Sequence, residues 1–117
     1  MPIILEKEEY WGNIEYKLKF INMTSEKISK YSTQLKFRVI EGGGNAVYFI
    51  GVRDNGTIVG LKKKNITYHK HIMNKMCSEI KCSIKNLNTF NVKHNKVILI
   101  YDIIGDFDMN ELPILIG

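Results

Sequence analysis

The stretch GGGNAVYFIGVRDNGTIVGL, residues 42–61, decides the fold of this chain. Residues 46–52 form a nearly continuous apolar run, which is typical of a strand that is covered on both faces. The sequence Asp54-Asn55-Gly56 follows, and it is a strong hairpin signal because type I′ turns need positive φ at both central residues. We therefore predict a buried strand, a tight turn and a second strand over residues 57–61.

Apolar periodicity predicts the elements on either side of this hairpin. Residues 14–20 alternate apolar and polar side chains, which predicts a strand with Glu15 on its solvent face. A helix is expected over residues 25–41, capped by Thr24 or Ser25 and ended by a glycine. A second helix is expected from residue 65 or 67 to residue 85, followed by a hairpin with strands at 90–94 and 97–103. This order predicts an α+β domain in which two helices pack on a mixed or antiparallel sheet.

The positive charge is concentrated in the middle of the chain. The net charge is +5, but residues 62–96 contain nine lysines and one acid, Glu79. Such a block can bind the phosphates of a nucleic acid, although a solvated helix face is the alternative because lysine far outnumbers arginine. The candidate nucleic-acid contacts are Lys62, Lys63, Lys64, Lys70, Lys75, Lys81 and Lys85.

The remaining composition predicts a folded protein of the cell interior. Hydrophobic residues make up 44% of the 117 residues, enough for a core. No apolar run approaches 18 residues, so we expect no contact with a membrane and a cytoplasmic location. Cys77 and Cys82 are expected as reduced core residues of the second helix. The histidines His69, His71 and His94 lack ligand spacing and are expected at the surface.

Three segments carry a resemblance to a known family. They are NIEYKLK at 13–19, TQLKFR at 33–38 and AVYFIGVRDNG at 46–56. Together they resemble the domain that precedes the GTPase core in the GTP-binding protein one/two family of elongation-factor-like GTPases, and the strand pair is similar to that of Schlafen/AlbA-like domains. The resemblance implies a Schlafen/AlbA-like fold and a non-catalytic accessory domain of a translation-associated GTPase. Its expected partners are the GTPase domain of the same chain and RNA or the ribosome.

The final residues, Ile114-Leu115-Ile116-Gly117, are typical of a strand that leads into a phosphate-binding P-loop. With the resemblance, they predict an accessory domain over residues 1–111 and the first strand of a P-loop GTPase domain over 112–117. The C-terminal strand of a stand-alone domain is the alternative. No cofactor is expected in this segment, whereas GTP and Mg²⁺ are expected in the parent protein.

The resemblance to Schlafen-type ribonucleases implies an alternative, catalytic function. In those enzymes the first strand carries two glutamates and a lysine, an acid follows the second strand, and the carboxylates hold a divalent metal. Glu15 matches the second glutamate, Lys17 the lysine and Asp54 the acid after the second strand. The chain departs from the pattern at Tyr10, where the first glutamate is expected, and Glu9 is one residue out of register. Carboxylates suit Mg²⁺ or Mn²⁺, so the alternative metal ligands are Glu15 and Asp54. Two other interpretations are that these residues are purely structural and that the chain is a protein-interaction domain.

Overall fold

The computed structural model describes residues 4–107, and it confirms an α+β domain with two helices on a mixed sheet. The Schlafen/AlbA-like assignment stays a prediction. The predicted strand at 112–117 lies outside the described residues. The elements are β1 (Ile14–Lys17), α1 (Ser25–Glu41), β2 (Asn45–Ile50), β3 (Leu61–Lys62), α2 (Ile66–Glu79), β4 (Cys82–Val92) and β5 (Lys96–Gly105).

Strand β5 is the centre of the five-stranded sheet. Along one edge it pairs with β4 over its whole length, and along the other it pairs first with β3 and then with β2, always antiparallel. Strand β1 pairs with β2 in parallel, and α1 forms the crossover between them. Among the described residues, neither helix is both long and apolar enough to span a bilayer.

Helix α1 begins and ends as predicted. The Thr24 hydroxyl accepts a hydrogen bond from the Lys27 amide (3.2 Å), and the Gly42 amide donates to the carbonyl of Arg38. Ile28, Leu35 and Val39 form its buried stripe and pack in the main core between the helices and the sheet.

Strand β1 is shorter than predicted, and its faces are not those that the alternation indicated. Glu15, expected in solvent, is only 6% exposed, whereas Ile14 is 45% exposed. Both faces are covered: Glu15 lies beneath α1, and Tyr16 packs on the opposite face in a small second core with Val52 and Ile98. Alternation could not reveal this, because it assumes that one face is solvated.

The predicted 57–61 strand is largely absent, since Val52 and Ile58 form only an isolated bridge and β3 begins at Leu61. The Gly56 amide donates to the carbonyl of Arg53 (2.8 Å), and the positive φ of this turn lies at Gly56 (91°). This is a type I turn followed by a glycine. Positive φ at two central residues occurs instead in the β4–β5 hairpin, at His94 and Asn95 (54° and 59°).

The prediction that the second helix extends to residue 85 is wrong. Helix α2 ends at Glu79, the chain reverses at Lys81 (φ 53°), and β4 begins at Cys82. Residues 80 and 84 continue the four-residue spacing of the helix, but residues 80, 82 and 84 are all apolar and therefore also fit the two-residue spacing of a strand. The two cysteines are buried and free as predicted, but they lie in different elements. Burial raises the pKa of Cys77 to about 12 and that of Cys82 to about 11.

Candidate functional site

The fold brings the three predicted catalytic residues around one cleft. Glu15 and Lys17 of β1 and Asp54 of the turn after β2 line a space of about 440 Å³ beside α1. The other lining residues are Glu8, Tyr10, Thr33, Gln34, Phe37 and Arg38. We call this space the acidic cleft.

Arg38 of α1 is the centre of the acidic cleft, and sequence reasoning missed it. Its Nη2 donates to Glu15 Oε2 (3.2 Å) and to the carbonyl of Glu9 (2.7 Å). Its Nη1 donates to the carbonyls of Trp11 and Gly12 (3.0 and 3.1 Å). A single buried guanidinium therefore neutralises Glu15 and fixes residues 9–12 against α1.

Glu8 supplies the second carboxyl of this cluster. Its Oε2 accepts a hydrogen bond from the Tyr16 amide (2.6 Å) and lies 3.9 Å from Arg38 Nη2. Burial, reinforced by a hydrogen bond with Glu15, raises the pKa of Glu8 to about 7. Glu8 thus retains a proton close to neutral pH. Glu8 stands seven positions before Glu15. The ribonuclease pattern places its first glutamate five positions before the second, so it does not identify Glu8.

The acidic cleft has the chemistry of an ion-pair cluster. Within residues 4–107, no set of three or more His, Cys, Asp or Glu side chains is arranged to hold a metal ion. The Glu15 carboxylate accepts a hydrogen bond from Arg38, and the main-chain carbonyl of Glu9 accepts another from the same arginine. Lys17 Nζ lies 4.4 Å from the centre of the Tyr31 ring. The metal role of Glu15 and Asp54 stays a prediction.

The seven predicted lysines are all exposed, but they do not form one helix face. Lys62 lies on β3, Lys63 and Lys64 in the 3₁₀ turn before α2, Lys70 and Lys75 on α2, Lys81 after α2, and Lys85 on β4. On α2 itself, Lys70 and Lys75 point about 140° apart at 100° per residue. The single lysine-rich helix face considered from the sequence is therefore wrong.

Instead, two of these lysines join three other cations around a second space of about 440 Å³, which we call the basic cleft. Lys62 and Lys64 meet Lys19, Arg53 and Lys96 there, together with Leu18, Val59, Gly60, Leu61 and Asn65. Among residues 4–107, no acid lines this space. Sequence reasoning missed Lys19, Arg53 and Lys96 because they come from separate segments that only the sheet brings together.

His69 supports one side of the basic cleft and corrects the prediction of surface histidines. It is 2% exposed. Its Nε2 accepts a hydrogen bond from the Phe20 amide (3.0 Å), and its Nδ1 donates to the carbonyl of Asn65 (2.8 Å). Burial lowers the pKa of His69, and nearby Lys19 acts in the same direction. The neutral ring ties the segment after β1 to the start of α2.

Comparison with known proteins gives a relationship over most of the chain. The chain is 37% identical over 94 residues to "GTP-binding protein 2" of human and of mouse. The chain is related to GTP-binding protein 2. The match covers 80% of this chain but 16% of the length of GTP-binding protein 2.

A viral protein shows a similar relationship. The chain is 33% identical over 94 residues to "Uncharacterized protein R625" of Acanthamoeba polyphaga mimivirus, and it spans 50% of that protein's length. No family model matches the chain. The sequence relation to GTP-binding protein 2 agrees with the family resemblance of the three segments described above.

Proposed function

We propose that this chain is a non-catalytic accessory domain of a GTP-binding protein. The observation that carries the proposal is the 37% identity to GTP-binding protein 2 over 80% of the chain. In this proposal the domain has the Schlafen/AlbA-like fold and serves a GTPase domain of the same polypeptide, which acts in translation in the cytoplasm. GTP and Mg²⁺ belong to that GTPase domain.

The acidic cleft supports a non-catalytic function for this domain. The Glu15 carboxylate accepts from buried Arg38, and Glu8 keeps its proton close to neutral pH. A metal-dependent hydrolase needs free, ionised carboxylates for its cation. The 117 residues also contain no G-x-x-x-x-G-K-[ST] sequence, which P-loop chemistry requires.

The coding sequence that follows Gly117 provides the first test. A reading frame that completes the P-loop motif supports the proposal, and a stop codon at that position overturns it. In the second step, GTP binding and hydrolysis are measured for the full polypeptide and for a form that lacks residues 1–111. We expect GTP binding to survive the deletion and stimulation by ribosomes to be lost. Loss of GTP binding on deletion would contradict an accessory role.

A metal-dependent ribonuclease is the second candidate, because Glu8, Glu15, Lys17 and Asp54 line one cleft. Its test is cleavage of single-stranded RNA with Mn²⁺ by the wild type and by Glu15→Gln. Glu26→Gln, an exposed acid on α1, is the matched control. Cleavage that is lost only in Glu15→Gln, with an unchanged circular dichroism spectrum, would support the enzyme. Absence of cleavage by the wild type would exclude it.

A further inference from the structure

We propose that the basic cleft binds the sugar-phosphate backbone of RNA. This inference rests on the proposed function, for which an RNA contact would bring the GTPase to its site of action. It assigns the contact to Lys19, Arg53, Lys62, Lys64 and Lys96, rather than to the lysines along α2.

The first argument is the concentration of charge. Of the residues that the structure describes, five cations and no acid line the basic cleft. The ion pairs found among residues 4–107 involve only Arg38, so none of these five cations is neutralised by an acid in that part of the chain. Clefts lined by one sign of charge focus the electrostatic potential and attract ligands of the opposite sign.

The second argument comes from strand register. Lys62 of β3 stands directly opposite Lys96 of β5. Like charges at opposed positions of a strand pair are destabilising, so this arrangement costs stability in the free protein. A phosphate placed between the two ammonium groups would relieve that repulsion. The pair is therefore better explained by an anionic ligand than by a role in the fold.

The third argument is the shape of the cleft wall. Gly60 has φ 85°, and a Cβ atom there would lie 2.6 Å from Val92 Cγ2 and 2.9 Å from Lys96 Cβ. Only glycine fits, and it lets the backbone approach the β5 strand closely. Asn65, at the N-terminus of α2, lines the same space, and its side-chain NH₂ group is a donor of the kind that bonds a phosphate oxygen.

The same features favour a nucleic-acid backbone over a membrane surface, and RNA follows from the proposed role in translation. A bilayer is flat and contacts protruding residues, whereas these cations surround a concave space. Lysine contributes four of the five charges and contacts phosphate as a point charge, which gives binding with little base selectivity. An acidic peptide is the remaining competitor, and the experiment separates it from RNA.

The experiment measures fluorescence anisotropy of a 20-nucleotide oligo(U) and of a 20-base-pair RNA duplex with the whole chain. With five phosphate contacts, affinity for the single strand should fall about a hundredfold between 50 and 200 mM salt. The test variant is Lys62→Ala/Lys96→Ala, which keeps both Cβ atoms. Its matched control is Lys70→Ala/Lys75→Ala, which removes the same charge from exposed positions outside the cleft.

We expect the cleft variant to lose at least about tenfold in affinity and to show a salt dependence weaker by about two contacts. The control should lose less than about twofold and keep the wild-type salt dependence. Equal losses in the two variants would overturn the assignment, because net charge alone would then explain the binding. No RNA binding by the wild type at 50 mM salt, or stronger binding to poly-glutamate than to either RNA, would also overturn it.

The outcomes distinguish this inference from the proposed function. RNA binding that depends on the cleft, together with a stop codon after Gly117, would keep the inference and end the accessory-domain proposal. A completed P-loop motif without RNA binding would support the accessory-domain proposal and overturn the inference.

Discussion

Replacement of Glu8 by glutamine should reveal a proton that the folded protein retains. Glutamine resembles protonated glutamic acid, since its side-chain oxygen can accept from the Tyr16 amide and its side-chain NH₂ can donate to Glu15. The pKa of Glu8 rises from its ordinary value of 4.5 to about 7 on folding, mainly through burial. The folded state therefore binds this proton more tightly than the unfolded state, and the stability it contributes is lost as the pH rises from about 4.5 to 7.

The magnitude follows from the width of this interval. About 2.5 pH units at ~1.36 kcal/mol each give a ceiling of ~3.4 kcal/mol. The side chain of Glu8 remains 17% exposed, and solvent screening reduces the expected effect to ~1–2 kcal/mol. The free energy of unfolding of Glu8→Gln should exceed that of the wild type only slightly at pH 5, and the difference should grow to the full amount by pH 8.

The assay is urea denaturation of both proteins at pH 5, 6, 7 and 8. His69 contributes an opposite trend to both, because its lowered pKa makes stability fall as the pH drops below about 6.5. The difference between the two proteins removes this contribution and isolates Glu8. If the difference in free energy of unfolding stays constant from pH 5 to pH 8, the raised pKa of Glu8 is refuted.

Three further substitutions and one control substitution test the other contacts by urea denaturation. Arg38→Met should lower the free energy of unfolding by ~3–5 kcal/mol, because it leaves Glu15 buried without a partner. His69→Ala should cost ~1–3 kcal/mol by leaving the Phe20 amide without its acceptor, whereas the exposed His71→Ala should change stability by less than ~0.5 kcal/mol. Lys62→Glu should stabilise the protein by ~0.2–1 kcal/mol at low salt by creating an opposite-charge pair across the strands.

The controls for these substitutions are internal to the chain. The gain from Lys62→Glu must disappear at 1 M salt, where the Debye length is about 3 Å; persistence would show that repulsion from Lys96 is not its cause. Equal effects of His69→Ala and His71→Ala would contradict the buried hydrogen bonds of His69. A loss below ~1 kcal/mol in Arg38→Met would show that Glu15 is hydrated in the folded protein.

Local signals predicted those parts of the fold that depend on neighbours in sequence. Helix α1 carries a threonine cap, a buried stripe and a terminal glycine, and the structure uses all three. The boundary between α2 and β4 was not predictable in the same way. Ile80 and Ile84 continue the four-residue spacing of the helix, but with Cys82 they also fit the two-residue spacing of a strand. The positive φ at Lys81 that separates the two elements belongs to a residue type that carries no such signal.

The candidate sites depend on contacts between distant residues, which a single sequence does not reveal. Resemblance to a motif points to Glu15, Lys17 and Asp54, and the three residues line one cleft. Arg38, which donates a hydrogen bond to the Glu15 carboxylate, lies 23 positions away on helix α1. The residues of the basic cleft are even more widely separated in sequence. Its five cations come together only when β5 pairs with β3.

The central position of β5 has a consequence for how the chain folds during synthesis. The N-terminal elements β1, α1 and β2 leave the ribosome first, yet one edge of β2 pairs with β5, which ends at Gly105. Until then this edge presents unpaired amides and carbonyls, a state in which strands recruit other chains. The nascent domain therefore depends on its last described strand to close the sheet, and a chain that stops before Lys96 would expose β2 to aggregation.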